Sequence, residues 1–230
     1  MDFAPFTHLT FDCYGTLIDW ETGILAAVMP ILTRRGIAAD AAHVLQHYVR
    51  YEAAQESAPY RRYQNVLRDV MAGIAAELGF TPTATELQAL PDSVGHWPPF
   101  ADTVDTLVRL QTRYKLIIVS NIDDAMFAET RQMLQVEFDD VITAEQVQSY
   151  KPAPTHFHVT LQRLGVPPQC VLHVAQSLYH DHVPAKALGL TTVWVQRPSR
   201  LPGTGLALPA AATPDLIVPD LQSLAAMMGL

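Results

Sequence analysis

The sequence predicts an α/β fold: a doubly wound, Rossmann-like parallel sheet with a helical cap inserted after its first strand. Three observations carry that prediction. Short β-rich runs alternate with helical patterns along most of the chain. A long helical stretch without any strand signal follows the first run. Polar residues with chemical potential fall at the carboxyl ends of the predicted strands, where doubly wound sheets gather their reactive groups.

The clearest strands are His8–Phe11, Lys115–Ser120 (KLIIVS), 170–175 (CVLHVA) and 191–196 (TTVWVQ), with weaker ones at 139–143 and 215–218. The runs KLIIVS, CVLHVA and TTVWVQ are nearly continuous in apolar residues, as strands covered on both faces must be. Helical patterns occupy 101–114, Asp124–Leu134, Thr155–Leu164 and 182–188; the last two stop at Gly165 and Gly189, residues suited to a helix C-terminus. Between residues 19 and 91 the segments 24–35, 41–56, 61–78 and 85–90 all look helical. Pro98 and Pro99 mark the return to the core. The expected organisation is a core of residues 1–18 and 98–230 with a cap over 19–97.

Composition narrows the function. Hydrophobic residues make up 49% and charged residues 17%, which suits a packed globule. The formal charge of −8, with no basic cluster to offset it, argues against nucleic-acid or anionic-membrane partners. Two cysteines are too few for a disulfide scaffold and suit a reducing cytoplasm; no leader peptide or membrane span is expected.

Asp12 ends the first strand, Ser120 and Asn121 end KLIIVS, Lys151 lies in the loop SYKPAP, and Asp181 follows CVLHVA. Each has an ordinary explanation. Asp12 caps a turn before Gly15, Ser120-Asn121 caps a helix, Lys151 is a solvated loop lysine, and Asp181 favours a helix dipole. Their joint occurrence at successive strand ends favours a shared site.

FDCYGTLID, IVSN, YKPAP and HVAQSLYHD resemble, in order and spacing, the four motifs of the haloacid dehalogenase (HAD) superfamily. The resemblance implies a hydrolase with Asp12 as nucleophile, Thr16 and Ser120 holding its environment, Lys151 neutralising its charge and Asp181 as distal acid. The chemistry agrees: a carboxylate nucleophile must be desolvated yet ionised, which an ammonium and hydroxyl donors provide.

Within that superfamily two residues favour the 2-haloacid dehalogenase branch over the magnesium phosphatases. Tyr14 stands where phosphatases carry an acid for the departing alkoxide, and a halide needs no such proton. Gln176 stands where an acid would support Mg²⁺. The expectation is therefore a metal-free cleavage of a small 2-haloacid, with a Mg²⁺-dependent phosphatase as the alternative and a homodimer as a possible assembly.

Gln176, Ser177, Tyr14 and Asn121 are candidates for binding substrate or halide, and Trp20 for walling the pocket. Arg50 is the candidate cap arginine for the substrate carboxylate, with Arg61, Arg62 and His47 as other choices. Ser177-Leu178-Tyr179-His180-Asp181 departs from the Ser-Asn usual before the final acid. The pairs His156/His158 and His180/His182, and His173, are discounted as zinc ligands, while His180, beside Asp181, is a minor candidate for influencing the site. Cys13 is read as a core thiol, pointing away from the nucleophile.

Overall fold

A computed structural model of the chain describes residues 1–200 and 212–230. Six strands, β1 (His8–Phe11), β2 (Lys115–Ser120), β3 (Asp140–Thr143), β4 (Val171–Ala175), β5 (Thr191–Val195) and β6 (Leu216–Val218), form one sheet in the order β3-β2-β1-β4-β5-β6. Every pairing is parallel. The first strand is thus central. The chain builds outward on one side through β2 and β3, then returns to build the other through β4 to β6.

Alternate side chains of the strands feed two apolar layers, because successive residues of a strand face opposite ways. Leu116, Ile118, Leu172 and Val174 share one layer with α5 (Thr103–Leu110) and α10 (Leu221–Met227). Ile117, Val119 and Val171 share the other with Phe157 of α8 (Thr155–Leu164) and Ala185 of α9 (Val183–Ala187). Both faces are covered, as the continuous apolar strands require.

The segment between β1 and β2 holds four helices: α1 (Trp20–Arg34), α2 (Ala41–Glu56), α3 (Tyr63–Glu77) and α4 (Ala84–Ser93). Each of α1, α2 and α4 has a side-chain cap from Asp19, Asp40 or Thr83, which satisfies amides that open a helix. Helix α1 begins at Trp20 rather than Ile24, since Asp19 caps it. Helix α4 runs past Pro91 to Ser93. Cys170 falls in a short turn before β4, and the helix expected over 101–114 shortens to Thr103–Leu110. After β2 come α6 (Asp124–Leu134) and, after β3, α7 (Ala144–Val147). Among the described residues no helix is long and apolar enough to cross a membrane.

Candidate active site

Asp12 follows directly on β1, and its amide donates to the Val174 carbonyl (3.1 Å), prolonging the β1–β4 ladder by one residue. The chain then turns sharply. Gly15 adopts φ +94°, and a Cβ there would lie 3.0 Å from the Trp20 ring nitrogen, so both backbone and space demand glycine. The turn places Thr16 to donate from Oγ1 to Asp12 Oδ2 at 2.6 Å. The same hydroxyl accepts from the Gln176 amide (2.9 Å), so its single proton is committed to Asp12.

Lys151 arrives from the loop after α7. Asn121 grips its main chain on both sides, accepting from the Lys151 amide at Oδ1 (2.7 Å) and donating from Nδ2 to its carbonyl (3.1 Å). The side chain, 2% exposed, spends its three protons on Asp12 Oδ1 (2.9 Å), Asp181 Oδ1 (2.7 Å) and the Val119 carbonyl (2.9 Å). Asp181 comes from a single wide turn, Leu178–His182, whose closing bond runs from the His182 amide to the Ser177 carbonyl, five residues back. This π-type turn absorbs the additional residues between Ser177 and the acid and still aims Asp181 at Lys151. Behind Asp181, His173 of β4 sets Nε2 3.2 Å from Oδ1, with Nδ1 2.9 Å from Thr10 Oγ1. Asp181 Oδ2 is buried and takes no hydrogen bond from the described residues.

These contacts fix the charges. Burial raises Asp12 above the ordinary aspartate value, although Lys151 and the Thr16 hydroxyl pull the other way. Burial works against the Lys151 ammonium too, but the two carboxylates outweigh it and hold its pKa above that of free lysine. For Asp181, burial is overcome by Lys151 and His173, so its carboxyl stays ionised well below the usual range.

Asp12, Ser120, Asn121, Lys151, Ser177, Asp181 and Tyr14 line one cavity of about 90 Å³. It adjoins a second of about 130 Å³, walled by Trp20, Gln176 and Arg197 and sharing Tyr14 and Ser177 with the first. The Tyr14 hydroxyl is tied to Thr130 Oγ1 (2.8 Å), and burial pushes its pKa well above 10. Ser177 caps the wide turn through the His180 amide (3.1 Å). Nine of the ten site residues expected from sequence therefore meet here.

Arg50 does not. It sits on the outer face of α2, half-exposed, in an ion pair with Glu77 (2.6 Å) and over the Tyr51 ring. Helical geometry explains this: two residues from Tyr48, it points away from the stripe that faces the core. Arg61 and Arg62 are likewise engaged by Asp69 and Glu145 at the surface, and His47 stacks on His43 outside both cavities. Asn121 lines the cavity, but its two amide protons go to Lys151 and to Glu56 Oε1 (3.2 Å), leaving neither for a halide. Cys13 is buried in the apolar core, where burial pushes its thiol up.

The cap contributes acids instead. Glu52 and Glu56 of α2 face the same cavity as Asp12. Glu52 Oε1 accepts from Tyr48 (2.9 Å) and from Tyr63. The signal was present in the sequence: Leu45, Tyr48, Glu52 and Glu56 fall on one helical stripe, and two carboxyls on a buried stripe need a reason. His173, discounted from sequence as a metal ligand, contacts Asp181 directly.

Comparison with known proteins now adds an independent line. A family model described as haloacid dehalogenase-like hydrolase matches residues 6–189. An (S)-2-haloacid dehalogenase of Pseudomonas putida is 27% identical over 195 residues, spanning 82% of this chain and 84% of that protein. A haloacid dehalogenase-like hydrolase domain-containing protein 3 of Danio rerio is 31% identical over 97 residues, 41% of this chain and 40% of its own length. The crystal structure of an L-2-haloacid dehalogenase superposes with a TM-score of 0.84 at 25% identity, covering 97% of this chain and 99% of that one. That of an L-2-haloacid dehalogenase from Xanthobacter autotrophicus with chloropropionic acid covalently bound gives 0.83 at 23% identity, over 97% and 98% of the two chains; it bears on the fold alone. The match over residues 6–189 and the shared parallel architecture establish that this chain is a hydrolase of the haloacid dehalogenase-like family.

Proposed function

We propose that the protein hydrolyses the carbon–halogen bond of a small 2-haloacid through an ester on Asp12, without a metal. The observation that carries this is the Lys151 ammonium bridging Asp12 and Asp181 inside a cavity. A desolvated carboxylate with one compensating cation is equipped to attack carbon.

The halogen-bearing carbon sits in line with an Asp12 carboxylate oxygen. That oxygen forms the new C–O bond while halide leaves with the C–X electron pair, inverting the carbon. Water, oriented by Asp181, then attacks the Asp12 carbonyl carbon. The ester C–O bond to Cγ breaks, the hydroxy acid departs with the oxygen that Asp12 supplied, and one proton is released. The names of relatives such as the Pseudomonas putida enzyme support the haloacid substrate.

The alternative, phosphate-ester hydrolysis with Mg²⁺, fits the donor set less well. Asp12 and Asp181 turn Oδ1 to the same ammonium, and Tyr14 and Gln176 supply no carboxylate beside them. No cluster of three or more His, Cys, Asp or Glu arranged to hold an ion occurs among the described residues. Magnesium favours carboxylate oxygens and phosphate, so this set offers it little.

Halide release from chloroacetate and 2-chloropropionate, with and without chelator, tests the proposal against phosphate release from a phosphate ester plus Mg²⁺. Chelator-insensitive halide release that Asp12→Asn abolishes is expected. Phosphate release dependent on Mg²⁺ would replace it.

A further inference from the structure

A haloacid brings a carboxylate into the cavity, and the cationic side chains that could meet it are already engaged. All three Lys151 protons are spent on Asp12, Asp181 and Val119. Arg197, at the wall of the adjoining cavity, is fixed by Asp102 (2.7 Å) and the Thr16 carbonyl (2.9 Å) and lies over the Phe100 ring. His180 is neutral above about pH 4 because burial disfavours its charge. The candidate cap arginine points to solvent.

In the cavity with Asp12, Lys151 and His180 stands Glu56, the last residue of α2, its side chain 8% exposed. Oε1 accepts from Asn121. Among the described residues Oε2 makes no hydrogen bond, and His180 Nε2 stands 3.7 Å from it, beyond hydrogen-bonding reach. No lysine or arginine among the described residues pairs with it. A buried carboxyl without a cation is stable as the neutral acid, and the neutral acid carries a proton to donate.

We propose that Glu56 determines specificity for the substrate's acid group: as a neutral acid it donates a hydrogen bond to the haloacid carboxylate, and its ionisation excludes the anion. Burial, and secondarily the neighbouring Glu52, push Glu56 in that direction. The inference rests on Asp12 opening the carbon–halogen bond, and it supplies the substrate contact that Arg50 does not.

The other groups facing Glu56 respond differently to pH. Lys151 stays charged, His180 stays neutral, and Asn121 does not titrate. Asp12 acts on the acidic side. Glu52, one turn back, is held by two tyrosine hydroxyls, so a Glu52→Gln variant separates its titration from that of Glu56.

The test measures KM and kcat against pH for 2-chloropropionate and its neutral analogue 2-chloropropionamide, counting halide beyond two equivalents per protein to exclude alkylation of Cys13 and Cys170. For the acid, KM should rise toward about tenfold per pH unit on the alkaline side, while KM for the amide stays level. Glu56→Gln keeps a donor and should flatten the acid's profile. Glu56→Ala should raise the acid's KM about ten- to hundredfold on the acidic side of that limb and leave it level with pH, with the amide far less affected, which also shows that the variant folds. Glu52→Gln should retain an alkaline limb.

A level KM for the acid in the unaltered protein, or an unchanged limb in Glu56→Gln, overturns the inference and leaves the Asp12 ester intact. Halide release from neither compound at any pH overturns the ester reading itself, and this inference with it.

Discussion

His173 and Asp181 form a buried pair, Nε2 to Oδ1 at 3.2 Å, anchored from behind by Thr10 at the His173 Nδ1. The imidazole thus lies beneath the Asp181 carboxylate, between the central strand and the cavity. It does not itself line the cavity and acts through Asp181. His173→Phe preserves the ring that packs edge-on to Phe157 and removes both nitrogens. The expected result is a kcat about ten- to hundredfold lower with KM within about twofold, from loss of one bond to a charged group. Steady-state values normalised to active sites counted by single-turnover halide release check this, since a purely structural loss would lower the number of active sites and leave kcat per site unchanged.

Asn121 holds the Lys151 main chain by two bonds while its second amide proton reaches Glu56. Asn121→Ala should therefore disturb the lysine loop. Stability should fall by about 1–3 kcal/mol through unsatisfied backbone groups, and halide release should fall with it. Chemical denaturation together with steady-state rates gives both numbers. Were Asn121 only a halide contact, stability would not move.

Arg50 pairs with Glu77 on the outside of α2. Arg50→Ala should leave kcat/KM for 2-chloropropionate within about twofold, because exposed ion pairs contribute little. A large rise in KM would return the carboxylate-binding role to this residue.

The pH dependence follows from the signs of the shifts. In the proposed mechanism Asp12 reacts as the anion, and burial raises its pKa, so kcat/KM should be present above that value and lost as pH falls through it. The acidic limb should lie above the ordinary aspartate value of 3.8, for acid and amide substrates alike. Lys151, raised, stays charged through the assay range and adds no alkaline limb. Asp181, depressed, contributes stability that is present above 3.8 and lost only as pH falls through its lower folded value. A pH–rate profile combined with acid unfolding checks both.

Much of this was legible in the chain. Strands such as KLIIVS and CVLHVA reveal themselves because a parallel strand covered on both faces has little room for polar residues. Asp12, Lys151 and Asp181 are legible because the topology carries strand ends to one edge. Cap contacts were harder. Arg50 looks like the natural partner for an anion, yet one hundred-odd degrees of helical rotation per residue decides its direction, and Tyr48 and Glu52 hold the inward face. Glu56 escaped because acids on a helix ordinarily mark its solvated side; only its register with Leu45 betrays burial. His173 escaped because a histidine in an apolar strand signals nothing until the strand beside it supplies Thr10 and the turn beyond supplies Asp181.

In the proposed mechanism Asp12 bonds to substrate carbon and is regenerated by water attacking its own carboxyl. Under single-turnover conditions in heavy-oxygen water, with protein in excess of 2-chloropropionate, mass spectrometry of the peptide containing Asp12 reads this directly. The label should enter Asp12, and the lactate formed should carry ordinary oxygen. Label found in the lactate and absent from Asp12 would mean that water attacks the substrate carbon itself, contradicting the covalent route.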